Sequence, residues 1–271
     1  MVKRVLSRAV LLLVSLSCGT SLALAANSPG ALPKFFLIIR QRTEPGKTSA
    51  RQQLETQMAR AFDAKNLPIY WIEMESLTGE PGSLLLEPFD TFEDLENANK
   101  LLTHLYSGSA GLADLYQQMD ELIVSSETTI AVQRNDLSYR PYSIDLSKAR
   151  SVRIYMLRTQ MDNEAAGEDL IKRLSTTYEQ INAPGAWAVY EVNAGMPQPA
   201  FIVVAPMNTL KDADNELTFG RVLGRMQRGQ SVMPIMQSLT EMESDIYSVN
   251  ADMSHVSKEF AEGDPSFWSK R

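Results

Sequence analysis

The 271-residue sequence predicts an α+β fold, two tandem βαββαβ modules whose sheets pack against each other as one intramolecular barrel. Three observations carry this expectation. First, residues 71–94 (WIEMESLTGEPGSLLLEPFDTFED) return as residues 186–212 (AWAVYEVNAGMPQPAFIVVAPMNTLKD). Trp71 and Trp187 lie 116 positions apart and Pro88 and Pro206 lie 118 apart, so only small indels separate the copies. Second, each copy runs from an alternating segment through a Gly/Pro-rich turn to a short apolar run and an acidic helix start, which is a hairpin feeding a helix. Third, both helices of such a module lie on one sheet face. Two modules in one chain can then cover each other's remaining apolar face.

Taken in order, residues 1–25 read as a secretory signal peptide. Lys3, Arg4 and Arg8 precede an apolar run over 9–16, and Ala23-Leu24-Ala25 offers a small-x-small cleavage site. The run is shorter than the ~20 residues that span a bilayer, so no transmembrane segment is expected after cleavage, and the mature protein is expected to be periplasmic or secreted. Cys18, the only cysteine, lies inside this leader. A lipidated Cys18 is the alternative, against which Ser15 stands where such sites usually carry Leu. Cleavage after Ala25 leaves no thiol for disulfides or thiolate chemistry. Loss of three cationic residues shifts the net charge from −7 to −10, which disfavours phosphate backbones and anionic lipid surfaces. Nucleic acid is therefore not an expected partner.

The first module is expected over residues 34–134. Its strand, FFLIIRQR at 35–42, is ended by Glu44-Pro45-Gly46. Thr48 or Ser49 caps a helix reaching 65, with Leu54, Met58, Ala61 and Phe62 along one side. The hairpin occupies 69–77 and 83–87. Thr91 caps a helical region with apolar residues at Leu95, Ala98, Leu102 and Leu105. This region is broken at Ser107-Gly108 and resumed through Leu112, Leu115, Met119 and Leu122. A strand at 128–133 closes the module. After a linker over 135–150 the order returns over 151–250, with a strand at 152–159, a helix at 164–181, a hairpin at 186–192 and 200–205, and a helical region from Thr209 to about Met242. The last strand is expected at 245–249. Residues 251–271 form a tail whose Phe260, Phe267 and Trp268 are too apolar for a free end, so it is expected to dock. Both modules end alike, in Asp136-Leu137-Ser138-Tyr139 and Asp252-Met253-Ser254-His255.

This order is the ferredoxin-like arrangement. Leu157-Arg158-Thr159 closes the first strand of the second module, a Trp stands on the second strand, and an apolar third strand runs into x-[DN]-[ST]-[FL]-x-D. With Arg40 and Pro45-Gly46-Lys47 in the first copy, these features resemble the dimeric α+β barrel superfamily, nearest to its NIPSNAP-type members. The resemblance spans roughly residues 34–250. It implies two modules, from one chain or two, around a central cavity. It also implies relatives that include cofactor-free oxygenases, haem-binding enzymes and members without assigned activity.

Strand alternation puts Trp71, Glu73 and Glu75 on one face and Tyr70, Ile72 and Met74 on the other, with Trp187, Val189 and Glu191 matching in the second copy. The Trp/Glu face is expected to point into the barrel, with Arg40 pairing Glu75 and Arg158 pairing Glu191, or both arginines meeting an anionic ligand. A structural ion pair is the plainer reading of the same residues. No metal site is expected, because HExxH, CxxC and carboxylate runs with ligand spacing are missing. His104 on a helix is the candidate axial ligand if haem is bound, against the plainer reading of a helix-surface histidine. Arg221, Arg225 and Arg228 form a basic stripe, and Met226, Met233 and Met236 read as core filling. Nucleophile elbow, phosphate loop and dinucleotide fingerprint are all missing. The expectation is an exported barrel protein, monomer or homodimer, that binds a small apolar or amphipathic molecule or serves as a structural module. The alternative is a cofactor-free or haem-dependent oxygenase.

Overall fold

The computed structural model describes residues 31–108, 110–161, 164–215, 237 and 239–269. The expected leader with Cys18, and the Arg221, Arg225 and Arg228 stripe with Met226, Met233 and Met236, lie outside the described residues. The first half contains β1 (Phe35–Thr43), α1 (Thr48–Lys65), β2 (Ile72–Ser76), β3 (Gly82–Phe89), α2 (Phe92–Gly108), α3 (Ala110–Asp120) and β4 (Ile123–Gln133). The second contains β5 (Ser151–Thr159), α4 (Glu164–Gln180), β6 (Ala188–Ala194), β7 (Ala200–Met207), α5 (Asp212–Asn215) and β8 (Leu239–Val249). Two short helices follow, α6 (Lys258–Ala261) and α7 (Pro265–Trp268).

Local chemistry accounts for most of these boundaries. Thr91 and Asp94 form a reciprocal cap at the start of α2: the Asp94 N–H donates to Thr91 Oγ1 at 3.1 Å, and the Thr91 N–H donates to Asp94 Oδ2 at 3.0 Å. α1 starts at Thr48 but has no side-chain cap; it ends at Asn66, left-handed with φ 50°. β4 and β8 both begin several residues before the expected 128 and 245. Before β4, Leu122 continues the spacing of Leu112, Leu115 and Met119 in α3, which masks the switch to alternation.

Each half contributes four strands in the same spatial order, β4-β1-β3-β2 and β8-β5-β7-β6, all pairs antiparallel. The edges join through β2–β8 and β4–β6, so the eight strands close into one barrel. Closure removes the free edges that a four-stranded sheet would present. The barrel interior is a single apolar cluster drawn from both halves, including Phe36, Ile38, Met74, Leu84, Leu86, Tyr190, Ile202, Val204 and Val249. Outside it lie two further layers. One packs Phe35, Trp71 and Phe89 under α1 to α3, and the other packs Tyr155, Trp187 and Val203 under α4.

The expected strand orientation is therefore reversed. Ile72, Met74, Ala188, Tyr190 and Val192 point into the barrel, whereas Trp71 and Trp187 lie in the helix-covered layers. By strand alternation Glu73, Glu75 and Glu191 share the outward face with them. The physical reason is that the barrel interior is narrow and filled by side chains from eight strands. Carboxylates there would lack partners, while on the helix side arginines meet them.

The trailing segments interlock the halves. After β4, Tyr139 bridges to Trp187, just before β6, and Ser138 Oγ accepts the Val189 N–H at 2.9 Å. After β8, His255 bridges to Trp71 and Ser254 Oγ accepts the Glu73 N–H at 2.9 Å. The repeated Asp-x-Ser-aromatic ending is thus the clasp with which each half holds the other's Trp-bearing strand. One end of the barrel is plugged by Ile144, Leu146 and Ala149 and by the tail, where Trp268 is buried and donates through Nε1 to the Ser147 carbonyl at 2.7 Å. Arg150 lies 3.7 Å over the Phe267 ring and pairs with Asp264.

Two outcomes test this arrangement. Residues 34–136 expressed alone expose the interior face of Phe36, Ile38, Met74, Leu84 and Leu86, so size-exclusion chromatography is expected to find aggregate or dimer; a soluble, cooperatively unfolding monomer contradicts the mutual burial. Tyr190 is fully buried with its hydroxyl unpartnered among the described residues. Tyr190→Phe is therefore expected to raise stability by about 1 kcal/mol in denaturant titration.

Candidate functional site

The two halves share one frame but differ in what they bury between sheet and helix. In α4 the buried positions are Gly167, Leu170, Ile171, Leu174 and Tyr178. In α1, at the same spacing 116 positions earlier, Arg51, Glu55, Met58 and Phe62 stand where Gly167, Ile171, Leu174 and Tyr178 stand in α4. On the strands, Glu73 matches Val189, Ser83 matches Phe201 and Glu87 matches Ala205. Gly167 has a packing reason: a Cβ there would stand 2.9 Å from both Phe201 Cε2 and Thr159 Cγ2. Where the second half carries Gly167, Ile171, Val189, Phe201 and Ala205, the first carries Arg51, Glu55, Glu73, Ser83 and Glu87.

The resulting cluster is compact and dry. Arg51 is 0 % exposed, Glu55 4 % and Glu73 1 %. Arg51 Nη1 donates to both Glu55 oxygens at 2.6 and 2.5 Å and to Glu73 Oε1 at 3.3 Å, while Nη2 reaches Glu75 Oε1 at 3.3 Å. Glu75 also accepts from Gln52 and, at 3.2 Å, from the Asn250 amide of the second half. Burial raises the Glu55 carboxyl, opposed by hydrogen bonds to its neighbours and by the Arg51 charge. Burial, and then the adjoining Glu55 charge, push Glu73 well above the usual carboxylate range. One guanidinium faces three carboxylates, an arrangement that costs several kcal/mol to bury without full charge compensation.

Glu87 is the second unusual group. It alternates with the interior residues Leu84 and Leu86 and so faces α2 and α3, opposite Leu37 of β1. Around it is a layer of half-buried apolar side chains that includes Leu37, Leu85, Leu102, Leu105, Leu115 and Met119. Protein packs closely round Glu87, which keeps a partial exposure. It makes no hydrogen bond or ion pair among the described residues. Burial alone pushes its carboxyl up to about 7. Tyr106 of α2 feels the Glu87 charge, and burial first, then Tyr116 and Glu87, push its hydroxyl up to about 12.

The expected site residues are dispersed over this frame. Arg40 reaches neither Glu75 nor the helix layer. It points to the open end of the barrel and bonds Glu243 at 3.1 Å and Asp245 at 3.3 Å. There it lines a cavity of about 50 Å³ with Ile38, Leu84, Ile154, Met156 and Ile202, room for one or two waters. Arg158 pairs Glu241 at 3.0 Å instead of Glu191. Glu191 instead pairs with Arg134, which also bonds Asp136 at 2.9 Å and Glu168 at 2.8 Å. Hydrogen bonds from the Arg134 guanidinium hold the Asp136 and Glu168 carboxyls below the usual carboxylate range. Glu164, Glu168 and Glu191 lie within 4.8 Å of one another, but Arg134 supplies the positive charge at two of the three. Arginine pairing across helix and strand was missed because Arg51 and Arg134 carry no motif. The one signal was the position of Arg51 and Glu55 along the apolar stripe of α1, four residues apart.

A histidine-held haem does not fit. His104 is exposed on the outer face of α2. His255 is buried with both ring nitrogens engaged, Nδ1 at 2.5 Å from Asp63 Oδ1 and Nε2 at 2.8 Å from the Leu67 carbonyl. These are the chain's only histidines.

The sequence matches no protein-family model, and no curated protein matches it. Solved structures do match. An anthrone oxidase-like protein aligns with 12% identity over 82% of this chain and 93% of its own, at a TM-score of 0.54. A putative monooxygenase from Fusobacterium nucleatum subsp. nucleatum aligns with 9% identity over 81% and 93%, at 0.53. A chlorite dismutase variant from Candidatus Nitrospira defluvii aligns with 10% identity over 91% and 98%, at 0.51. At such identities the likeness is one of fold, and the fold of this chain is that of the dimeric α+β barrel proteins, with both halves supplied by a single polypeptide.

Proposed function

We propose that the chain is a cofactor-independent oxygenase of the α+β barrel type, acting on an aromatic substrate with an acidic C–H bond, of the kind found in anthrone. The observation that carries this reading is Glu87, a carboxyl on the helix-covered face of β3 without a charge partner, pushed up to about 7 by burial against the apolar layer under α2 and α3. A general base works best when its pKa lies close to the working pH, and an isolated carboxylate in apolar surroundings is a stronger base than one in water. The half-buried leucines between the sheet and α2 and α3 suit a flat apolar ring. Similarity in fold to an anthrone oxidase-like protein and a putative monooxygenase supports the same class of chemistry.

In this reading Glu87 takes a proton from the ring CH2 group, and the delocalised carbanion passes electrons directly to dioxygen. Overall, two C–H bonds and the O–O bond break, a C=O bond forms, and the second oxygen leaves as water with the two hydrogens. The carbon loses four electrons and dioxygen gains four. Burial of the ring excludes water from the carbanion.

Two measurements test the assignment. Oxygen uptake with anthrone by chelator-treated protein is expected, and Glu87→Gln is expected to lower its rate by 10²- to 10⁴-fold, the range of general-base catalysis. Uptake that is unchanged in Glu87→Gln, or missing in the wild-type protein, overturns the proposal. The second measurement is independent of substrate. Because the folded carboxyl titrates at about 7 against 4.5 when unfolded, the native state holds the extra proton between these values, and stability falls as pH rises through them. Glu87→Gln is expected to gain up to about 3 kcal/mol on wild type between pH 4.5 and pH 7. Parallel curves for the two proteins remove Glu87 from the titrating set.

A further inference from the structure

The charges packed under α1 do not balance. Arg51 Nη1 holds both oxygens of Glu55, at 2.6 and 2.5 Å, whereas Glu73 and Glu75 each meet the guanidinium through one longer contact of 3.3 Å. One positive charge therefore faces three carboxyls, and its tight pair is with Glu55. We propose that a divalent cation of the Ca²⁺ type supplies the missing charge, held by the carboxylates of Glu73 and Glu75 and by the hydroxyl of Ser83. The site is separate from Glu87, and it does not depend on the oxygenase reading.

Ser83 is the residue that points to a bound group. It is 1 % exposed, and its Oγ has no hydrogen-bond partner among the described residues. In the β2–β3 register it stands directly opposite Glu75, on the face that Glu73 shares, where opposed Cβ atoms are roughly 4.5–5.5 Å apart. An orphaned buried hydroxyl destabilises the fold. A water at this point would partner the hydroxyl yet leave the carboxylates uncompensated. A hard cation answers both needs, because carboxylate and hydroxyl oxygens are its preferred donors. The Glu75 side chain is 23 % exposed, so water can enter beside it to complete the coordination. Ca²⁺ accepts such an irregular shell, whereas Mg²⁺ demands near-ideal octahedral geometry.

The second half answers the matching carboxylate with an arginine. Glu191 lies 116 positions after Glu75 and pairs with Arg134. The residue 116 positions after Arg134 is Asn250, and its neutral amide is what meets Glu75, at 3.2 Å. Arg51 and Glu55, standing where the second half has Gly167 and Ile171, add one charge of each sign. Glu73 and Ser83, standing where it has Val189 and Phe201, add a carboxylate and a hydroxyl. At this spot the first half therefore lacks a guanidinium and carries two more oxygen-bearing side chains, which is the exchange that a set of hard-cation ligands requires.

The test uses the full chain and Tb³⁺, which enters Ca²⁺ sites and emits when a neighbouring tryptophan passes it energy. Trp71 lies two residues before Glu73 in the same helix-covered layer. Tryptophan excitation is expected to give Tb³⁺ emission that saturates at one ion per chain and is displaced by Ca²⁺. Glu73→Gln and Ser83→Ala are each expected to weaken this binding at least ~10-fold. Glu164→Gln, in the separate carboxylate group with Glu168 and Glu191, is expected to leave it unchanged. Emission that is missing in the wild-type protein, keeps full strength in both of the first two variants, or disappears in Glu164→Gln overturns the site. Ca²⁺ at roughly 100 times its Kd is also expected to raise the thermal unfolding midpoint of metal-stripped wild-type protein by about 5 °C, and not that of Ser83→Ala. An equal rise in both proteins, or in neither, overturns it as well. Near-ultraviolet circular dichroism establishes that each variant is folded, and Ser83→Ala, which removes only a hydroxyl, serves if Glu73→Gln is not.

Discussion

The structure depends on closure of the barrel. A four-stranded sheet with helices on one side leaves two edges of unpaired backbone groups and one apolar face in water. Joining β2 to β8 and β4 to β6 satisfies the edges and buries both faces around the cluster of Phe36, Met74, Leu86, Tyr190 and Ile202. Neither half can achieve this alone, which is why the segments that follow β4 and β8 cross over. Ser138 and Ser254 accept backbone N–H groups of the opposite half, and Tyr139 and His255 pack against its tryptophan.

Once the interior is committed to apolar packing, chemistry moves outward to the layer between sheet and helices. There the halves diverge. α4 lies close on its sheet through Gly167 and leaves an apolar layer, whereas α1 brings Arg51 and Glu55 down onto Glu73. Burial raises the carboxyls of the cluster, and the same low polarity raises Glu87 without any charge partner. Similar folding constraints in the two halves thus support an apolar layer in one and a layer of buried charged groups in the other.

The two ends of the barrel are also unlike. Ile144, Leu146 and Trp268 close one end, held by Arg150 between Asp264 and Phe267. The other end is lined by Arg40, Glu127, Glu243 and Asp245 around a broad polar depression. The long-range pairs of Arg40 tie β1 to β8 across this opening, so an expected site residue that lines a cavity also serves the barrel as a cross-brace.

Local sequence determined a large part of this molecule. The echo of Trp71 in Trp187, the Gly/Pro turns and the acidic helix starts were enough to place two hairpins feeding helices, because turn chemistry and side-chain periodicity act over a few residues. The α+β class and the need for a shared sheet face followed. Which face of β2 points inward did not follow: Ile72 and Met74 on one side and Trp71 on the other are both suited to burial, and both sides are covered by protein. Only the tertiary structure decided it, since Glu73 and Glu75 are tolerable where α1 presents Arg51 and intolerable among the side chains of the interior. The same holds for the site. Arg51 and Glu55 are four residues apart and look in sequence like a solvated helix pair. They become part of a buried charged cluster because a strand twenty residues later, and a clasp from the far end of the chain, close over them.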